Sequence, residues 1–144
     1  MDVEEHGDIV TVTLTLPFLP PSKNVYDGWP PAWKAGAKKK WIRVIGEMCA
    51  EQQVPTGLWS VGLAATLVFA RNARRDPQNY AQALWNWVPD ALVRCGVLRD
   101  DRAGAIEIGP NWGLQMTIDD RRSIPEKKRQ RTILTLAYRP RLEN

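Results

Sequence analysis

Four aspartates carry the main hint of chemistry in this chain. Asp76 directly follows Arg74 and Arg75 and precedes Pro77, Asp90 closes the otherwise uncharged run that follows, and Asp100 and Asp101 stand side by side in the turn "LRDDRAG". Carboxylates set among arginines and lysines suit metal-assisted phosphodiester hydrolysis. Their oxygens can hold Mg²⁺, which demands oxygen ligands and keeps some of its water. The metal activates a water and neutralises charge building on the phosphate, while guanidinium groups grip neighbouring phosphates in a bidentate fork. Each feature also has a plainer use. Asp76 before proline is a good helix cap, the paired aspartates fit a solvated turn, and the lysine triplet 38–40 fits the wet face of a helix.

Other chemistries are poorly supplied. The single histidine, His6, belongs to the acidic start "MDVEEHGD", so Ser/His/Asp or Cys/His catalysis lacks a well-placed base. Cys49 and Cys95 are far apart in sequence and show no metal-ligand spacing; neither a disulfide framework nor a zinc site is indicated, which fits a reducing, cytoplasmic setting. No apolar run is long enough for a membrane span.

The elements that must position these residues read as follows. Residues 9–18 alternate Val10, Val12, Leu14 and Leu16 with threonines, the period of a half-buried strand. The proline-rich stretch 19–31 reads as loop. From 32 to about 53, Trp33, Ala37, Trp41, Val44, Ile45, Met48 and Cys49 recur at helical spacing. The opposite face carries Lys34, Lys38, Lys39, Lys40 and Arg43. A buried strand follows at 58–70. Asp76 and Pro77 then open a second helix whose apolar face is Tyr80, Ala83, Leu84, Trp87 and Val88. Pro89 is expected to kink or divide it, and Gly96 to end it. A strand pair at 105–108 and 112–118, a basic loop and a last strand at 132–139 complete the order β-α-β-α-β-β-β. This predicts an α+β fold with two main helices against a small mixed sheet.

The helix from 77 to 95 would be about 28 Å long. A straight rod therefore keeps Asp76 away from Asp101, unless Pro89 folds the chain back or a symmetric dimer joins two ends. At 144 residues the chain reads as one domain, 9–140, behind an acidic tail, 1–8. Hydrophobic residues make up 44% and charged residues 25%, as in ordinary globular proteins. A net charge of +4 makes polyanions plausible partners. Of the seven tryptophans, Trp33, Trp41, Trp85 and Trp87 fall near inward helix faces, while Trp29 and Trp112 are the better candidates for exposure.

Taken in order, "LPFLPPSKNVY", a lysine-rich helix, "RRDPQNY" and "DALVRCGVLRDD" resemble the RusA family of Holliday junction resolvases, over roughly residues 14–108. Pro21, Ser22, Lys23 and Asn24 match the family's Pro-Ser-x-Asn loop. Arg74, Arg75, Asp76 and Asn79 match its Arg-Arg-Asp-x-Asp-Asn segment. Asp90, Ala91, Leu92 and Gly96 match its Asp-Ala-Leu helix, and Asp100 with Asp101 its aspartate pair.

The resemblance implies a homodimer that binds branched, four-way DNA and nicks two strands symmetrically with Mg²⁺ (or Mn²⁺), using no small-molecule cofactor, in a bacterial or phage-infected cell. Asp76 and Asp101 would carry the metal, Asp100 would assist, and Asp90 would be a catalytic neighbour. Arg74, Arg75, Asn24, Asn79 and Lys38, Lys39 and Lys40 would contact DNA, with Arg121, Arg122, Lys127, Lys128 and Arg129 as a second set. Two positions depart from the pattern: Gln78 replaces the second aspartate and Gln82 a lysine. The alternatives are a junction-binding protein that does not cleave and a basic scaffold with the same fold.

Overall fold

The computed structural model describes residues 8–100, 102 and 104–140; Asp101, the tail residues 1–7 with His6, and residues 141–144 lie outside it. The architecture is α+β: a mixed five-stranded sheet with helices. Strand β1 (Val10–Leu16) is followed by a short helix α1 (Lys23–Asp27) and the long helix α2 (Pro31–Glu51). Strand β2 (Val61–Phe69), helix α3 (Gln78–Arg94) and strand β3 (Ile106–Ile108) form a parallel crossover. Strand β4 (Leu114–Ile118), helix α4 (Glu126–Arg129) and strand β5 (Arg131–Tyr138) end the fold.

The sheet is ordered β1-β5-β2, with β3 and β4 placed end to end along the free side of β2. The last strand therefore sits between the first two, antiparallel to both. Alternation in β1 and β5 puts Leu14, Leu16, Leu134 and Leu136 on one face, where they are fully buried. That face packs with Trp41, Ile45 and Cys49 of α2 and with Leu84, Trp87, Val88, Ala91 and Leu92 of α3 in one hydrophobic cluster. Burying such side chains contributes about 1.5–3 kcal/mol each.

Several expectations change. The proline-rich stretch is not all loop: Ser22 caps α1, its Oγ accepting from the Val25 backbone N–H (3.4 Å). Helix α3 runs through Pro89 as one element. Strands β3 and β4 do not pair with each other but each with β2. Between them, Asn111, Trp112 and Gly113 all have positive φ (57°, 56° and 67°), stepping the chain from one partner position to the next. Only at Gly113 does packing demand glycine, since a Cβ there would lie 2.5 Å from Ile108 Cγ2. Trp33 is 63% exposed rather than core, whereas Trp41 and Trp87 are buried and Trp112 is 46% exposed. Cys49 and Cys95 are brought face to face between α2 and α3. Cys49 stays protonated, its pKa raised by the hydrogen bond to Cys95 and by burial. Among the described residues no helix is long and apolar enough to cross a membrane.

Candidate functional site

The two ends of the crossover receive different residues. Asp76 follows the C-terminal end of β2 and caps α3: its Oδ1 accepts from the Gln78 backbone N–H (3.1 Å) and its carbonyl from the Asn79 N–H (3.0 Å). The carboxylate is exposed and takes only that one bond. Arg75, by contrast, is turned onto its own loop. Its guanidinium lies 3.9 Å from the centre of the Phe69 ring, and Nη1 donates to the Arg71 and Ala73 carbonyls (2.9 and 3.3 Å). Arg75 thus braces the β2–α3 loop in this structure. Arg74 remains exposed, with no side-chain partner among the described residues.

Beside this turn, α1 packs against α3. Lys23 lies with Gln78, Asn79, Gln82, Trp85 and Asn86 along a cleft of about 570 Å³, closed at one end by Trp112. The Pro-Ser-Lys-Asn turn and the Arg-Arg-Asp-Pro-Gln-Asn segment, far apart in sequence, therefore meet. Asn24 is exposed on α1. Lys23 Nζ pairs with Asp27 (2.8 Å), an exposed bond that a phosphate can exchange at little cost. The amides Gln78, Gln82 and Asn86 form one stripe at a spacing of four, the signal by which the uncharged run after Asp76 could have been read as a polar cleft.

The other aspartates lie elsewhere. Asp90 joins the helices: it receives Lys38 Nζ from α2 (3.0 Å) and Arg94 Nε from its own helix (3.3 Å). The Lys38 bond, then Lys38 and Arg94 charge, holds its pKa below the usual carboxylate value. In this structure Asp90 and Lys38 form a tie between α2 and α3. Asp100 is held by Arg102, whose Nε and Nη2 each approach within 2.9 Å, and this pairing lowers the Asp100 pKa. The chain there is anchored near the start of β2, where Arg99 N–H donates to the Leu58 carbonyl (3.0 Å). Arg99 and Arg102 both lie over the ring of Trp59, which is 53% exposed.

Asp76 and Asp100 are thus separated by the nine residues of β2, about 30 Å of strand. One chain does not bring them to one ion. Among the described residues no three Asp, Glu, His or Cys side chains gather as a metal site. At the Asp76 end, one carboxylate and the Gln78 amide oxygen fit the oxygen preference of Mg²⁺ but supply only one negative charge.

The second basic set divides into held and open side chains. Arg129 is only 9% exposed and donates to the Ile124, Ala70 and Asp119 carbonyls (3.0, 3.1 and 2.7 Å). Asp119 is buried and receives Arg121 Nε (2.8 Å) and Arg131 Nη1 (3.0 Å), which hold its pKa far below the usual range. Arg121 and Arg129 therefore pin the segment to the sheet, while Arg122, Lys127 and Lys128 remain exposed. Lys39 is exposed without a partner among the described residues, and Lys40 lies over Phe18 (4.6 Å). No protein-family model matches the chain, and no curated protein matches it.

Proposed function

We propose that the protein is a Mg²⁺-dependent, RusA-like endonuclease that acts as a homodimer on four-way DNA junctions. The observation that carries this reading is the meeting of the two segments bearing the resemblance. The Pro-Ser-Lys-Asn turn and the start of α3 form one surface, with the exposed Asp76 carboxylate and the exposed Arg74 beside it. Separation of Asp76 from the Asp100 turn then requires a composite site: the α3 start of one protomer meets the aspartate turn of its partner. Asp76 and Asp101 are the ligands in this scheme, and the metal supplies the activated water. Lys39, Lys40, Arg74, Arg122, Lys127 and Lys128 supply the phosphate contacts.

A second reading, junction binding without cleavage, is favoured by one specific observation. Gln78 brings no charge to the α3 start, and Asp90 and Asp100 are already neutralised by cations.

Labelled junctions incubated with and without Mg²⁺ separate the two. Asp76→Asn should reduce nicking at least about 100-fold and barely move the melting temperature, because Asn caps a helix as well as Asp. Mixing Asp76→Asn with Asp101→Asn protomers should restore nicking of one strand, since one of the two composite sites is then intact. Two inactive variants that fail to complement would place both carboxylates outside a shared site. Bound but uncut junction with wild-type protein selects the binder.

A further inference from the structure

The cleft along α3 is built unlike a phosphate track. Its wall is the stripe Gln78, Gln82 and Asn86 with neighbouring Asn79, four amides that are exposed and make no side-chain bond among the described residues. No carboxylate lines it. Its end is Trp112, an indole held out of the core by a left-handed backbone (φ 56°, ψ 20°), a conformation that costs a bulky residue roughly 1–3 kcal/mol. The position is fixed from both sides: Trp85 Nε1 donates to the Trp112 carbonyl (2.6 Å), and the next residue, Gly113, packs closely on the Trp85 ring. The result is an exposed indole on a held backbone, beside a row of side chains that both donate and accept.

A ligand suited to this surface has a flat apolar face and an edge of alternating donors and acceptors. Nucleobases have both, and Asn and Gln pair with base edges in a bidentate manner, while any base can stack on an indole. Lys23 at the cleft's margin is paired with Asp27, and Asp76 caps the start of α3, so the flat face and the amide row, more than charge, set the choice of ligand. Inside a duplex neither face nor pairing edge is free, so the base must be unpaired.

We infer that this cleft takes an unpaired nucleobase of single-stranded or branch-point DNA, stacked on Trp112 and read by the α3 amides. The inference rests on the nucleic-acid reading above and assigns it a base-binding subsite next to Asp76.

The test compares the full-length protein's affinity for an oligothymidylate of eight residues with that for an abasic oligomer of the same length. Wild type should prefer the thymidylate by about 5- to 150-fold, the worth of one base–aromatic stack. Trp112→Ala should erase the preference, Trp112→Tyr should retain it, and melting curves should show both variants folded. Equal binding of the two oligomers by wild type, or a preference that survives Trp112→Ala, overturns the inference. Binding of a neutral oligosaccharide such as cellotetraose that is lost in Trp112→Ala also overturns it and reassigns the cleft to carbohydrate. If four-way junctions still bind with a steep salt dependence while the base preference is absent, the subsite alone fails. If junction binding has no salt dependence, the nucleic-acid reading fails with it.

Discussion

Two basic regions that look alike in the sequence behave differently in the fold. The lysines of α2 point outward: among the described residues Lys39 has no partner, Lys34 and Lys40 lie over Tyr26 and Phe18, and Lys38 is tied to Asp90. In the 119–131 segment Arg129 and Arg131 turn inward, Arg129 onto three carbonyls and Arg131 onto Asp119, where the exposed Arg121 also pairs; Arg122 stays exposed. The chemistry of the two head groups accounts for the difference. A guanidinium is a weakly hydrated fork that can satisfy several carbonyls where strands and loops converge, whereas an ammonium is a strongly hydrated point charge that stays in water. Counting cations thus overstates the free positive charge of the second region, where Arg129 is buried, and describes the first fairly.

The comparison breaks most readily at Arg129. Arg129→Ala strands buried carbonyls and should cost on the order of 3 kcal/mol, lowering the melting temperature by about 10 °C, with the salt dependence of DNA binding unchanged below the transition. A variant as stable as wild type, but with a shallower salt slope, would show that Arg129 faces the ligand after all.

A smaller effect concerns acid. Lys38, followed by Arg94, lowers the Asp90 pKa, and Arg121 and Arg131 lower that of Asp119. A carboxylate whose folded pKa is depressed stabilises the fold above its ordinary value of 3.8 and loses that contribution as pH falls through the folded value. Lys38→Met should therefore cost about 0.5 kcal/mol at pH 7, and the difference should vanish as pH drops well below 3.8. Thermal melts across pH 2–7, a window of roughly the carboxylate range, check the sign. A gap that widens in acid contradicts it.

The smallest effect on stability is expected where the effect on binding is clearest. Lys39→Ala should change stability by less than about 0.5 kcal/mol, yet make the log–log salt slope of junction binding shallower by about one if it meets a phosphate. An unchanged slope would leave α2 as a wet face only.

Local patterns were legible where one element's own period decides the outcome. The alternation through Leu14 and Leu16, and the helical recurrence of Trp41, Ile45 and Cys49, mark the faces that become core. Trp33 continues the same stripe yet stands in the first turn of α2 against Trp29 (ring centroids 6.4 Å), beyond what the sheet covers. Periodicity says which way a residue points, not whether anything reaches it. Pro89 is similar: Val88, Ala91 and Leu92 are all fully buried around it, and that packing holds α3 in one piece despite the missing donor. At the candidate site, Asp76 could be read as a cap from its neighbours alone. Arg129's attachment to Ala70 could not, because it joins positions 59 apart. Nor could the meeting of Cys49 with Cys95, which depends on how α2 and α3 cross.

The place of β5 in the sheet has a consequence for how the chain is made. β1 and β2 do not touch; each forms its ladder with β5, which is synthesised after both. A ribosome-bound chain that has not yet released residues 131–138 therefore carries two strands with open edges and half of the apolar face laid bare. Such edges invite pairing with other chains. The sheet therefore cannot close until residues 131–138 have been made, and a nascent chain that lacks them keeps its strand edges open to wrong partners.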